Sequence, residues 1–126
     1  MFLKYNVFTI IWCITVLFLT LATGETKSNL AFNYTDKLVH IAMFTPLSLL
    51  MIVGFRKQVQ FFKIHCYPVK YALIISIAFG IVIELIQWIL PHRAIELSDI
   101  VSNIIGTGLG YVAYLIIYKL DLKWFF

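Results

Sequence analysis

The chain has 126 residues, of which 62% are hydrophobic and 13% charged, with a formal net charge of +4. Soluble domains carry roughly 45–50% apolar and about 25% charged residues, and a short chain needs polar residues to cover its large relative surface. A mean hydropathy of +0.94 therefore excludes an ordinary water-soluble globule and makes lipid the expected solvent.

Charges are spaced so as to leave four long apolar runs. The first, residues 5–24, lies between Lys4 and Glu25. It is longer than the ~7–15 residues of a signal-peptide core, so a retained helix is expected, and the bulky Trp12 ahead of Cys13 speaks against a lipoprotein signal. The second run, residues 38–55, lies between Lys37 and Arg56. The third, residues 71–90, carries Glu84 as its single charge, and the fourth, residues 100–118, lies between Asp99 and Lys119. Each matches the ~17–25 residues that cross hydrocarbon as a helix. Lipid admits only helices or closed barrels, and the alternation of a barrel strand is absent. The expectation is an all-α, four-helix transmembrane bundle, a single domain over residues 1–126. Cys13 within the first span and Cys66 in a basic loop imply neither a disulfide framework nor a metal motif.

Lysine and arginine are retained on the cytoplasmic side, which sets the expected orientation. With the N-terminus inside, the inner segments hold Lys4, then Arg56, Lys57, Lys63 and Lys70, then Lys119 and Lys123. The outer segments hold Lys27, Lys37 and Arg93. Seven against three places both termini in the cytoplasm. A basic inner loop beside anionic headgroups accounts for the pI of about 9.1 without a nucleic-acid partner.

On that topology the polar residues gather at the outer ends. The second span opens with Asp36, Lys37 and His40, where Asp36 and His40 share a helical face. The third carries Glu84 and Gln87 before the Pro91-His92-Arg93 turn, and the fourth opens with Asp99 and Asn103. Glu84 lies about 9 Å below the end of its helix and Asn103 about 6 Å below Asp99 at 1.5 Å per residue. An acid at such depth is a functional candidate by default, with His40, Arg93 and Lys37 as candidate partners. Below these residues, Gly106 and Gly110 on the fourth span and Gly80 on the third are expected to let those two helices approach closely. The two then splay around a polar pocket with the second span as its third wall. The first span, without an ionisable residue, is expected to pack.

The ordered set Asp36-Lys37-x-x-His40-x-x-x-Phe44, Glu84-x-x-Gln87, Pro91-x-Arg93, Ser98-Asp99 with Asn103, and Gly106-x-x-x-Gly110 resembles the VanZ-like family of small bacterial membrane proteins over roughly residues 5–118. The resemblance implies a multi-pass protein of the bacterial cytoplasmic membrane. The family's namesake accompanies vancomycin-resistance gene clusters and lowers susceptibility to teicoplanin, which acts outside that membrane. An outward-facing pocket agrees with such a site of action.

Each candidate also has a structural reading. Asp36 and Asp99 near helix N-termini are favoured by the dipole and can cap. Lys37 can snorkel to the interface. Arg93 can pair with Glu96 or, with its planar fork, hold an anionic headgroup. Gln87 and Asn103 suit interhelical hydrogen bonding. A hydrogen bond to Asn103 or His40 would satisfy Glu84, and His40 is either neutral and bonded or titrating.

Three functions stay open. The protein binds a lipid-linked, polyprenyl-type envelope intermediate, with Arg93 and Lys37 on the anionic head. It is a membrane-embedded enzyme, with Glu84 or Asp99 as general acid or base and His40 as proton partner. Or it is a proton-coupled carrier subunit, which with four helices would require a homo-oligomer or a partner. No nucleophile motif or catalytic residue is identified. Asp36, His40, Glu84 and Asp99 could hold a divalent cation, but dispersed ligands are a weak signal, and no metal or cofactor is expected. Cysteines introduced at Thr26 and Ala94 should react with an impermeant maleimide added outside intact cells; labelling only after lysis would invert the topology.

Overall fold

Runs of about 20 apolar residues in hydrocarbon must satisfy their backbone N–H and C=O groups internally, and the α-helix does so. The computed structural model describes residues 2–22, 31–89 and 97–119, with side chains over 3–20, 37–89 and 97–118. The elements are α1 (Phe2–Ala22), α2 (Ala31–Lys57), α3 (Phe62–Cys66), α4 (Pro68–Ile89) and α5 (Leu97–Lys119), with no strand among the described residues. Among the described residues, four stretches are long and apolar enough to cross a membrane: Leu3–Thr20, Lys37–Lys57, Pro68–Ile89 and Leu97–Tyr118. The all-α bundle of four membrane-type helices expected from the sequence is the one observed.

Boundaries differ from the charge-bounded runs for local reasons. α4 begins at Pro68, where a missing N–H costs nothing because the first helical donors are unpaired anyway. α2 begins at Ala31, well before the expected start at residue 38. Asp36 therefore lies more than a turn inside the helix rather than at its N-terminus, and the capping role considered for it does not hold. α2 also contains Pro46, which removes one ladder hydrogen bond and is tolerated in a membrane helix whose neighbours can compensate.

Pairwise contacts give the directions. Trp12 Nε1 donates to the Met43 carbonyl at 2.8 Å, while a Cβ at Gly54 would lie 2.8 Å from the Tyr5 carbonyl oxygen, so α1 and α2 are antiparallel. Phe44 meets Gly80 and Ser76 Oγ approaches Met51 Sδ at 3.7 Å, so α4 runs back up against α2. α5 then runs parallel to α2, with which it makes the most extensive contact of any pair. The core along these seams includes Val16, Phe44, Leu47, Ile52 and Ile83, all fully buried. The outer faces present Phe8, Phe18, Ile75, Ile89, Ile105 and Ile116, an apolar coat suited to lipid.

The short α3 was not anticipated, because five residues carry no span signal. It is held by Gln58, fully buried, whose Nε2 donates to the carbonyls of Phe55 (3.3 Å) and Phe61 (3.1 Å) and whose Oε1 accepts from the Phe61 N–H (2.9 Å). His65 Nδ1 donates to the Gln58 carbonyl at 2.9 Å. With Lys63, His65 and the exposed Phe61, Phe62 and Tyr67, this turn has the aromatic and basic composition of a membrane interface.

Glycine decides which helices touch, and here the expectation needs correcting. Gly106 and Gly110 do not face α4; a Cβ at Gly106 would lie 2.8 Å from the Ile41 carbonyl oxygen and 2.9 Å from Phe44 Cβ, and one at Gly110 would collide with Ser48 Oγ and the Thr45 carbonyl. The groove they form is filled by α2. Only Gly80 sits in the α4–α5 seam, where a Cβ would lie 3.1 Å from Asn103 and 3.3 Å from Phe44. The reason is polar pairing, which holds helices together where lipid competes for apolar contact. Ser48 Oγ donates to the Thr107 carbonyl at 3.0 Å, and Arg56 donates to Tyr114 Oη and stacks over the Tyr118 ring at 4.5 Å.

Gly106→Leu should separate α2 from α5 and destabilise the protein by about 1–3 kcal/mol, the usual range for overpacking. Gly108 faces open space, so Gly108→Ala should be neutral or slightly stabilising. Thermal unfolding in detergent followed by circular dichroism compares the two directly, and equal loss in both would refute the assigned interface.

Candidate functional site

On α4 the buried positions Ala72, Ser76, Gly80, Ile83, Glu84 and Gln87 recur at the helical period, so the polar residues lie on the same stripe as the core contacts. On α5 the buried stripe is Asp99, Ser102, Asn103, Gly106, Thr107 and Gly110. On α2 it begins with His40 and continues through Met43, Phe44, Leu47 and Ser48. The three stripes meet, and because α5 lies tight against α2 through Gly106, their upper ends converge as well.

The convergence is a buried cluster of His40, Glu84 and Asp99, one residue from each helix, exposed by 3%, 1% and 0%. One ring nitrogen and one oxygen of each carboxylate all lie within 4.8 Å of one another. Asn103, also buried, holds the imidazole: His40 Nδ1 lies 2.9 Å from Asn103 Oδ1. With the amide oxygen as acceptor, Nδ1 is the donor in this bond. Asp99 lies in the first turn of α5, where the positive end of the helix dipole favours a negative charge. At an effective dielectric of about 20, two full negative charges repel by roughly 3–4 kcal/mol at such separations. A proton or a cation between the two carboxylates would relieve that repulsion.

Gln87 is buried but turned to α1, where its Nε2 donates to the Thr20 carbonyl at 3.1 Å. Lys37, half-buried, lies about one turn before His40 on α2. Arg93 lies outside the described residues, as does the Asp36 side chain. Gly80 packs under Asn103, whereas Gly106 and Gly110 serve the α2–α5 contact.

Sequence reading passed over the hydroxyl layer beneath the cluster. Ser102 Oγ donates to the Ser98 carbonyl at 2.8 Å and Thr107 Oγ1 to the Asn103 carbonyl at 2.9 Å, while Ser48 crosses to α5. The spacing Asp99, Asn103, Thr107 carries the signal, since residues four apart share a helical face. Asn6 on α1, 2% exposed against Gly54, was also read only as part of an apolar run.

Comparison with known proteins is consistent with this architecture. The search found no match among curated proteins and none among solved structures. The family model described as VanZ/LLP1 matches residues 5–118, a segment that begins in α1, ends in α5 and contains all the residues of the buried cluster. By that match the chain, a multi-pass helical membrane protein, belongs to the VanZ/LLP1 family.

Proposed function

We propose that this protein binds a lipid-linked cell-envelope intermediate, with its polar site at the outer leaflet of the bacterial cytoplasmic membrane and both termini inside. The observation that carries the reading is the meeting of His40, Glu84, Asp99 and Asn103 from three helices in a bundle whose flanks are apolar. Buried ionisable groups in a membrane bundle are costly and mark pathways or ligand sites. The apolar flanks suit an isoprenoid or acyl tail lying along the bundle. Lys37, near the start of the described α2 side chains, and Arg93, in the connection after α4, supply positive charge for an anionic head. Engagement of an envelope precursor would connect the site to the glycopeptide susceptibility associated with VanZ-like proteins.

A second reading is an enzyme acting on the same class of lipid. It is favoured by one feature, a His40 ring nitrogen and an oxygen of each of two carboxylates within 4.8 Å of one another, close enough for proton exchange in general acid–base chemistry. A proton-coupled carrier would use the same residues but needs a second copy or a partner to enclose a path.

Native mass spectrometry of the full chain released from native lipid tests the binding reading. Wild type should retain a polyprenyl-linked species, and Glu84→Gln should lose most of it while keeping its helical content. Retention of no specific lipid by folded wild type, or equal retention by both forms, would overturn the reading. Conversion of the retained lipid during incubation by wild type but not by Glu84→Gln would select the enzyme over the binder.

A further inference from the structure

We propose that His40, Glu84 and Asp99 form a binding site for one divalent first-row transition cation, of the Mn2+ or Zn2+ kind. This deepens the reading above, on which it rests only in assigning the cation's role of meeting an anionic lipid head.

The donor set comes first. Each residue offers one ligand atom, all mutually within 4.8 Å. Metal–nitrogen and metal–oxygen distances of about 2.0–2.2 Å put the donors of a bound cation roughly 3–4 Å apart, so small rotamer adjustments close the site. One imidazole and two carboxylates suit Mn2+ or Zn2+. An all-oxygen set would favour Mg2+ or Ca2+, and thiolates would favour softer ions. The two cysteines are not part of it: Cys13 lies on α1 and Cys66 on α3. The donors stand on three helices that hold one another rigidly through Gly106, Gly80 and Phe44, which is the preorganisation a metal site needs.

Asn103 supplies an independent observation. Metal-bound histidine characteristically donates its other ring N–H to a fixed acceptor, which sets the tautomer and aims the ligating nitrogen. The Nδ1 contact to Asn103 Oδ1 at 2.9 Å would do this, with Nε2 as the ligating nitrogen. Asn103 is 1% exposed, and its Nδ2 has no hydrogen-bond acceptor among the described residues, so the same amide keeps a donor beside the cluster for an oxygen ligand. Three protein ligands leave at least one coordination position open, the pattern of a site that engages an exogenous ligand rather than a closed structural one. A cation there would add, at the cluster itself, to the positive charge that Lys37 and Arg93 bring to an anionic head.

The test uses the full chain in detergent, stripped with chelator and titrated with Mn2+, Zn2+, Mg2+ or Ca2+ alone. Wild type should bind one equivalent of Mn2+ or Zn2+, at least about tenfold more tightly than Mg2+ or Ca2+. Asp99→Asn and Glu84→Gln should each weaken binding by more than about tenfold, and Asn103→Ala by roughly 10–100-fold through the imidazole it orients. His65→Asn, far from the cluster, should leave binding unchanged. Because a cluster variant can fail to fold, pulsed electron paramagnetic resonance on Mn2+-loaded wild type adds a readout that needs no mutation: imidazole nitrogen coupling is expected. Absence of stoichiometric binding, or binding without that coupling, would overturn the proposal. Lipid retention is measured separately before and after chelation. Loss of lipid on chelation supports the bridging role, and retention unchanged by chelation overturns that role. Metal binding without any lipid overturns the lipid reading while leaving the cation site standing.

Discussion

The distance between α2 and α5 is set by glycine, because at Gly106 and Gly110 the backbone of one helix meets the backbone and short side chains of the other with no room for a Cβ. In hydrocarbon such contact is not driven by exclusion of water, so dispersion and hydrogen bonds must supply it. Along this seam they come at three levels: His40 to Asn103 near the start of α5, Ser48 to the Thr107 carbonyl at mid-height, and Arg56 to Tyr114 near the other end. These pairs fix the register of two parallel helices joined by no short loop. A one-residue slip would rotate every buried polar group on α5 by about 100° away from its partner, given 3.6 residues per turn. The buried cluster exists because the seam is tight at its upper end.

That position also explains why the acids are tolerable. Asp99 enters α5 in its first turn, where the backbone amides present partial positive charge, and His40 and Asn103 bring polar groups to the same place. Glu84 has no such help from α4, since it sits near the C-terminal end, where the dipole is unfavourable to an anion. Placing an acid there costs stability, and the cost is informative: apolar side chains of similar volume would pack the three stripes with less penalty. Residues that oppose stability in the interior of a small bundle are where function is expected to reside.

Much of this was legible in the chain itself. Apolar runs of membrane length, interrupted by a single charge at Glu84, point to the class and number of crossing helices. Four-residue spacing on α5 placed Asp99, Asn103, Gly106 and Gly110 on one face, and depth singled out Glu84. What period and composition do not encode is which neighbour a face meets. The glycine groove of α5 was expected against α4 and instead receives α2, because Ser48, Thr45 and Ile41 present a slim surface there while α4 offers only Gly80. Gln87 illustrates the same limit, one turn beyond Glu84 yet turned to the Thr20 carbonyl of α1. Its rotation about α4 relative to Glu84, about 300° by helical geometry, is enough to move it into another seam. The start of α2 differs from the expected residue 38 because Asp36 and Lys37 sit within a helix that extends beyond the apolar stretch.

The first helix takes on a larger part than its apolar run suggested. Asn6 lies against Gly54, Trp12 donates to the Met43 carbonyl, and the Thr20 carbonyl accepts from Gln87, so α1 is pinned at three heights. The Trp12 contact falls on the turn of α2 between His40 and Pro46. Proline removes the N–H that would bond the Ala42 carbonyl, and a helix weakened there would be free to bend exactly where His40 must be aimed. An indole clamped to the next carbonyl along, backed by Phe44 packing against Phe79 at 6.2 Å between ring centroids, stiffens that turn from both sides. α1 thereby acts on the polar centre by fixing the segment of α2 that carries the imidazole.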